Sequence, residues 1–278
     1  MPILARLASL YESRGIGIAT GLNPSHFGDF PHAPFTWFIK SGKSLTDGLG
    51  IALQEIYFIE CLFARFHPRS VFAIGNSLGW STLALALANP TGTVLAIDAG
   101  LDRHARDGIR FTNLVAEKEG LKVRAVAGRS PEDVPRVLKE AAMPPVEFAF
   151  IDGYHSVAQV QLDFDAVHAA AAPGCVYLFH DVANFALSPG IERLARENGL
   201  EWRLLLGTSS GMAIVYDPAR RPEALDDIAP FAAAPDAVQV IRDAAWRYRH
   251  RHLARWRRSL DKRLGRASPP APLFDDER

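Results

Sequence analysis

The chain has 278 residues, of which 48% are hydrophobic and 22% charged, and its 31 basic side chains balance 31 acidic ones. This composition is typical of a globular protein with a sizeable core, and a net charge of zero excludes a molecule-wide field as the means of binding nucleic acid or an anionic membrane. The two cysteines, Cys61 and Cys175, lie in apolar runs, which favours buried thiols in a reducing compartment over a disulfide framework.

We therefore expect a cytoplasmic protein. The first fifteen residues are too interrupted by charge for a signal peptide, and no apolar window has the length of a membrane span.

Residues 1–50 are predicted to form an N-terminal extension or lid. From residue 15 onward this segment is rich in glycine, proline, histidine and phenylalanine, and its prolines break any regular period. Its aromatic side chains could line an acceptor site or pack in an ordinary core. They are Phe27, Phe30, Phe35, Trp37 and Phe38, mixed with His26 and His32.

After a predicted helix over residues 51–66, short β-prone runs alternate with helical stretches, which indicates a parallel sheet. The predicted strands cover residues 70–75, 93–98, 122–126, 146–152 and 174–181. A helical pattern over 101–119 stops at Gly120, and Ser130-Pro131-Glu132-Asp133 predicts a capping box. A further helix is predicted near residues 191–197.

Two more β-prone runs, over residues 201–206 and 211–216, are separated by a turn so short that they must form an antiparallel hairpin. The sequence thus predicts an α/β fold: a seven-stranded, mostly parallel sheet with an antiparallel closing hairpin and helices on both faces. We place this domain at residues 51–217, followed by a helical basic C-terminal extension over 218–278.

A glycine-containing turn after the first predicted strand carries the strongest ligand signal. Residues 73–82 read Ala-Ile-Gly-Asn-Ser-Leu-Gly-Trp-Ser-Thr and lead directly into an apolar helix, whose start offers free N–H donors. The next predicted strand ends at Asp98, at the spacing of a carboxylate that binds both hydroxyls of a ribose. A structural turn and a helix N-cap are the alternatives for these two features. Gly128-Arg129-Ser130 falls where a nucleobase would lie, although a plain capped loop fits equally well.

Taken together, residues 73–81, 95–98, 150–156 and 173–182 resemble the class I S-adenosylmethionine-dependent methyltransferases. The resemblance is strongest to the small-molecule O-methyltransferases grouped as methyltransferase family 24, and it covers about residues 70–216. It implies a Rossmann-like methyltransferase fold that binds S-adenosylmethionine. Ala73 departs from the pattern, since many relatives have an acidic residue there, which contacts the amino acid end of the cofactor. The expected cofactor-binding residues are Gly75, Asn76, Ser77, Gly79, Ser81, Asp98, Gly128, Arg129, Ser130 and Asp152.

The polar residues Asp152, His155, His180 and Asp181 follow the fourth and fifth predicted strands, so they should converge in one crevice. Methylation of a hydroxyl needs a base or a metal ion beside the acceptor. In a metal-dependent reaction, Asp152 and Asp181, with His180 or Asn184, would hold Mg²⁺ or Mn²⁺. In a metal-free reaction, His155 would be the general base. The candidate catalytic residues are His155, Asp152 and His180; the candidate metal ligands are Asp152, Asp181 and His180.

The arginine-rich segment over residues 242–266 contains Trp246, Tyr248 and Trp256 and is followed by the acidic triplet Asp275-Asp276-Glu277. It could bind phosphate groups, present a solvated face, or form a subunit contact in a homo-oligomer. The leading hypothesis is O-methylation of a small molecule or sugar. The alternatives are methylation of RNA through the basic segment, which the neutral charge disfavours, and a non-catalytic binding or assembly module.

Overall fold

The structure is a computed structural model that describes residues 2–28, 33–101 and 104–250. The main sheet has seven strands in the order β6-β5-β4-β7-β8-β10-β9. All neighbouring pairs are parallel except those made by β10, which runs antiparallel to both β8 and β9. This confirms the predicted fold class. The strands are β4 (Ser70–Ile74), β5 (Thr93–Asp98), β6 (Val123–Ala127), β7 (Val146–Ile151), β8 (Ala171–Phe179), β9 (Glu201–Leu205) and β10 (Met212–Tyr216).

Helices cover both faces of this sheet, which explains why its central strands are apolar at nearly every position. In β4 all five residues are buried. Val71 and Ala73 belong to the core on one face, with side chains of α2 and α3, whereas Phe72 and Ile74 belong to the core on the other face, with side chains of α5, α6 and α7. The helices are α1 (Ile3–Glu12), α2 (Leu53–Phe63), α3 (Trp80–Ala88), α4 (Ala105–Glu119), α5 (Val134–Glu140), α6 (Val157–His168), α7 (Ser188–Glu197), α8 (Ala224–Asp227) and α9 (Pro235–Arg249).

The N-terminal segment packs on the same core. Leu7 and Tyr11 of α1 are fully buried, and the Tyr11 hydroxyl donates to the backbone carbonyl of Leu78 at 2.8 Å. A small antiparallel sheet follows, formed by β1 (Gly17–Ala19), β2 (Trp37–Lys40) and β3 (Lys43–Ser44). Phe38 of β2 is buried against Tyr11 and Trp80. The predicted aromatic residues Phe30 and His32 lie outside the described residues.

By its internal contacts the chain divides into two compact units, Met1–Ala232 and Ala233–Arg278. The predicted boundaries at 50/51 and 217/218 both fall within the first unit. In the second unit α9 has no buried residue, and its Trp246 ring stacks on His250 at 4.6 Å. Residues 251–278, with Trp256 and the acidic triplet, lie outside the described residues. Within the described part of the chain, no helix is both long and apolar enough to cross a membrane.

One local prediction was wrong. Ser130 does not cap a helix that starts at Pro131, because α5 begins at Val134 with Asp133 at its N-cap position. The Ser130 hydroxyl instead donates to the buried carboxylate of Asp163 at 2.6 Å. The predicted stop at Gly120 is confirmed, since Gly120 has the left-handed φ of +65° that ends α4.

Candidate active site

A cavity of about 620 Å³ lies at the carboxyl edge of the parallel strands, where the loops after β4, β5, β6, β7 and β8 meet. This is the edge where open α/β sheets bind ligands. Of the predicted site residues, all line this cavity except Gly79 and Asn184. Phe35, Phe38, Leu49 and Ile51 also line it, so part of the predicted N-terminal aromatic segment contributes to its apolar wall.

The turn after β4 requires glycine at two positions, because neighbouring atoms leave no room for a side chain there. Gly75 has a φ of +94°, and a Cβ there would collide with the backbone carbonyl of Asp152. Gly79 has a φ of +85°, and a Cβ there would collide with the hydroxyl of Thr112 in α4. Gly79 therefore seats the turn against α4, while Gly75, Asn76, Ser77 and Ser81 face the cavity.

Asp98 holds this turn in place through its carboxylate. Oδ2 accepts from the backbone N–H groups of Asn76 and Ser77, both at 2.8 Å, and Oδ1 accepts from that of Gly100 at 2.7 Å. A carboxylate has about four acceptor positions, so about one remains for a ligand in this conformation. The alternative of a helix N-cap is excluded, because α4 begins at Ala105 with His104 at the N-cap position.

The loop after β6 contributes Gly128, Arg129 and Ser130 to the cavity wall, as the sequence predicted. Sequence reasoning missed Asp163 behind this loop. Asp163 is 1% exposed, and its Oδ1 accepts from the Ser130 hydroxyl and from the Gln159 amide. Burial raises the pKa of Asp163, although these two hydrogen bonds oppose the shift. Asp163 lies in α6, one turn after Gln159, and no sequence motif around it indicates a role in the site.

Asp152, His155, His180 and Asp181 also line the cavity, and together they form what we call the polar cluster. Asp152 Oδ1 lies 3.2 Å from His155 Nε2 and 3.1 Å from His180 Nδ1. Asp181 Oδ2 lies 3.5 Å from His155 Nε2 and 3.4 Å from His180 Nδ1. The predicted convergence of these residues is confirmed. Asp181 has a φ of +57°, a conformation that non-glycine residues rarely adopt and that is frequent at functional sites.

The charges of the polar cluster shift the pKa of its buried members. Burial raises the pKa of Asp152, but the neighbouring His180 and His155 outweigh it and leave the pKa well below its ordinary value. Burial lowers the pKa of His180, but the carboxylates of Asp152 and Glu55 outweigh it and leave that pKa raised. An ionised carboxylate beside a protonated imidazole is therefore the stable state of this pair without a metal ion.

The polar cluster also has the makeup of a metal site. Its four donor atoms, two carboxylate oxygens and two imidazole nitrogens, all lie within 4.8 Å of one another. Although His180 Nδ1 is close to Asp152, the pair does not meet hydrogen-bond geometry, so this buried nitrogen has no hydrogen-bond partner. Asn184 lies next to these atoms, since its amide donates to Asp181 Oδ1 at 2.7 Å. The residues fit a divalent ion, and His155 joins the predicted ligands Asp152, Asp181 and His180.

Comparison with known proteins relates part of this chain to methyltransferases. Residues 72–182 match the family model of methyltransferase family 24, described as a methyltransferase domain. No curated protein matches the chain. Among solved structures, a protein from Staphylococcus aureus described as a caffeoyl-CoA O-methyltransferase is 14% identical, with a TM-score of 0.50 over 70% of this chain and 90% of that one. At this identity the likeness shows the fold alone.

Two further solved structures have similar coverage. The O-methyltransferase TomG from Streptomyces achromogenes, in complex with S-adenosylmethionine, is 16% identical with a TM-score of 0.49, over 78% of this chain and 90% of that one. An O-methyltransferase from Bacillus cereus, in complex with S-adenosylhomocysteine, is 15% identical with a TM-score of 0.46, over 78% and 91%.

Proposed function

We propose that the chain transfers a methyl group from S-adenosylmethionine to an oxygen atom of a small molecule or sugar, because residues 72–182 match the model of a methyltransferase domain. One observation carries the proposal. A single cavity is lined both by the glycine turn with Asp98 and by the polar cluster. Its volume of about 620 Å³ is in the range of small-molecule sites.

These two groups of lining residues suit the cofactor and the acceptor of such a reaction. The turn at residues 75–78 and Asp98 would hold the nucleoside part of the cofactor, with Gly128, Arg129 and Ser130 near the base. Ala73 is buried in the sheet core and has no polar atom to offer, so the amino acid end of the cofactor needs other contacts. The polar cluster would lie beside the acceptor hydroxyl.

Transfer breaks the bond between the methyl carbon and the sulfonium sulfur and forms a bond from that carbon to the acceptor oxygen, which loses its proton. His155 is the residue of the polar cluster best placed to take this proton, because its side chain is 24% exposed whereas that of His180 is 5% exposed. Asp152, at 3.2 Å from His155 Nε2, would orient the imidazole and stabilise its protonated form. The His155 ring also stacks on Phe185 at 4.6 Å, which restrains its orientation.

A divalent ion is the alternative means of activating the acceptor. A bound ion would lower the pKa of the acceptor hydroxyl and orient its oxygen. Asp152, Asp181, His155 and His180 would hold it. Two imidazole ligands suit Mn²⁺ or another transition metal better than Mg²⁺, which prefers oxygen. In that case His155 is a ligand and does not act as the base.

Calorimetric titration with S-adenosylhomocysteine tests the proposal, first in EDTA and then with Mn²⁺ or Mg²⁺. Micromolar binding is the expected result, and a screen of hydroxyl acceptors with and without metal would follow. His155→Asn should abolish transfer while cofactor affinity persists. The control is His67→Asn, since His67 is exposed just before the amino end of β4, away from the cavity. A protein that gives no heat and no thermal shift with S-adenosylhomocysteine would contradict the proposal.

We also propose a cytoplasmic location. Both cysteines are free thiols, and burial raises the pKa of Cys175 to about 12, which keeps it protonated and unreactive. This state suits a reducing compartment.

A further inference from the structure

Glu55 is a buried carboxylate that the sequence analysis did not identify and that the proposed reaction does not yet use. It lies in α2 and is fully buried. Its Oε2 atom accepts from the backbone N–H of Ala52 at 2.7 Å, and its Oε1 atom accepts from that of Ser210 at 2.9 Å. Neutral side chains can satisfy such donors. A buried carboxylate is costly, so its charge calls for a further explanation.

The third partner of Glu55 is His180 of the polar cluster. Oε2 of Glu55 lies 3.1 Å from His180 Nε2. Because an ionised carboxylate can only accept, Nε2 must carry a proton in this pair, whether or not Nδ1 is protonated as well. The other ring nitrogen, Nδ1, then faces the carboxylates of Asp152 and Asp181.

The surroundings of His180 hold the ring in this orientation. The centroid of the ring lies 5.8 Å from that of Phe35 and 6.0 Å from that of Phe150. With its side chain only 5% exposed, the imidazole has little access to water that could replace the Glu55 carboxylate. In metal sites, a histidine usually binds the ion through one ring nitrogen and donates the N–H of the other to a carboxylate. The contacts of His180 have this arrangement.

We propose that Glu55 is a positioning residue that orients His180 for metal binding by fixing the proton on Nε2 and directing Nδ1 into the polar cluster. This inference rests on the proposed function, because it assigns the cluster to the reacting end of a methyltransferase cavity. Glu55 does not line the cavity, and it acts on the metal site through His180.

Glu55 also steadies the opposite side of the polar cluster. The backbone N–H of Ser210 donates to it, and the carbonyl of Ser210 accepts from the N–H groups of Ala183 and Asn184, in the loop that carries Asp181. A single buried carboxylate thus connects α2, His180 and the loop after β8.

Cobalt(II) is the probe for the test, because its visible absorption reports nitrogen and oxygen ligation directly. The full chain is titrated with Co²⁺ as wild type, as Glu55→Gln and as Glu147→Gln. A glutamine has one oxygen, so it cannot accept from Ala52, Ser210 and His180 together. We expect Glu55→Gln to bind Co²⁺ 10- to 100-fold more weakly than wild type. Glu147→Gln is the matched control, since the Glu147 carboxylate also accepts from a backbone N–H, that of Arg69 at 2.6 Å, but lies near the amino end of β7 and does not line the cavity.

The affinity for S-adenosylhomocysteine is measured on the same samples. If Glu55 had only a structural role, its substitution would weaken the binding of both Co²⁺ and S-adenosylhomocysteine. Retained S-adenosylhomocysteine binding with weakened Co²⁺ binding supports the positioning role. Equal Co²⁺ affinity in wild type and Glu55→Gln overturns it. A wild type that binds S-adenosylhomocysteine but not Co²⁺ also overturns it and leaves the proposed methyl transfer intact, whereas failure to bind S-adenosylhomocysteine at all overturns the proposed function.

A second measurement needs no Glu55 variant. In the proton NMR spectrum of the Co²⁺ form, the ring N–H protons of ligating histidines are shifted far from other signals. The Nε2–H of His180 is buried against Glu55 and should exchange slowly with D₂O, whereas the free N–H of His155 should exchange fast. The slow signal should be absent in His180→Asn. A wild-type spectrum with no slowly exchanging imidazole N–H overturns the inference.

Discussion

The carboxylate of Asp98 is expected to stabilise the ligand-free protein as well as to bind the cofactor. Asp98→Asn separates these two roles. An asparagine oxygen can keep the pair of bonds from Asn76 and Ser77, but its NH₂ group must then face the backbone N–H of Gly100, which at present donates to Oδ1 at 2.7 Å. The variant loses one charge-assisted bond and weakens two others.

Each hydrogen bond to a charged group contributes about 1.5–3 kcal/mol. Asp98 is only part-buried, so water will replace some of the lost interaction. We therefore expect the free energy of unfolding to fall by about 2 kcal/mol, which for a domain of this size lowers Tm by roughly 4–8 °C. The affinity for S-adenosylhomocysteine should fall by at least about tenfold, since a ribose hydroxyl loses a charged acceptor.

Urea unfolding of the ligand-free protein and calorimetric titration give the two quantities. Glu117→Gln is the control, because it removes one exposed negative charge from α4 without touching the turn. Wild-type stability in Asp98→Asn would refute the view that the carboxylate holds the glycine turn, even if cofactor affinity is lost. Wild-type affinity would refute its role in binding the ribose.

Three further predictions concern stability. Gly79→Ala should cost about 2–4 kcal/mol in urea unfolding, because it adds a collision with α4 to a left-handed φ, whereas Gly120→Ala, with open space around its Cβ, should cost only about 1 kcal/mol. Tyr11→Phe leaves a buried carbonyl of the glycine turn without its donor and should lower the unfolding free energy by about 1–2 kcal/mol. Because the pKa of His180 is raised in the folded protein, its protonated ring stabilises the fold fully below about pH 6.5, and this stabilisation is lost as the pH rises through the raised pKa. In EDTA, the free energy of unfolding of His180→Asn should therefore fall less at alkaline pH than that of the wild type. Each prediction has a result that would contradict it. These results are the same loss of stability in Gly79→Ala and Gly120→Ala, wild-type stability in Tyr11→Phe, and a wild-type loss of stability at alkaline pH in His180→Asn.

The sheet was predictable because its signals are local. Strands such as β4 and β7 are apolar at nearly every position, which is the pattern of a strand covered on both faces. The short connection between β9 and β10 left only an antiparallel pairing. The place of β10 between β8 and β9 follows from long-range pairing of Ile214 with Leu178, for which the sequence has no local signal.

The polar residues of the site were predictable for a similar reason, since strand ends on one edge of a parallel sheet must lie close together. The hydrogen-bond partners of the site residues could not be predicted. Ser130 looked like a helix cap by its spacing from Glu132 and Asp133, but its hydroxyl bonds to Asp163, 33 residues later. The Ser130 hydroxyl can bond either to a nearby helix end or to a distant buried carboxylate, and packing decides between them. The buried carboxylate is favoured because it has fewer alternative donors than an exposed helix end, which water can reach.

The closing hairpin connects the fold to the site. The carbonyl of Ser210, in the turn between β9 and β10, accepts from the backbone of the loop that carries Asp181, and the N–H of the same residue donates to Glu55. Gly211 has no room for a Cβ, because one would collide with Ala183. The turn therefore packs directly behind the polar cluster. An antiparallel β10 brings its first residues to the same edge as the end of β8, whereas a parallel strand there would place its connection at the opposite edge. The topology that distinguishes this fold from a dinucleotide-binding sheet thus also supplies the rigid support for Asp181 and, through Glu55, for His180.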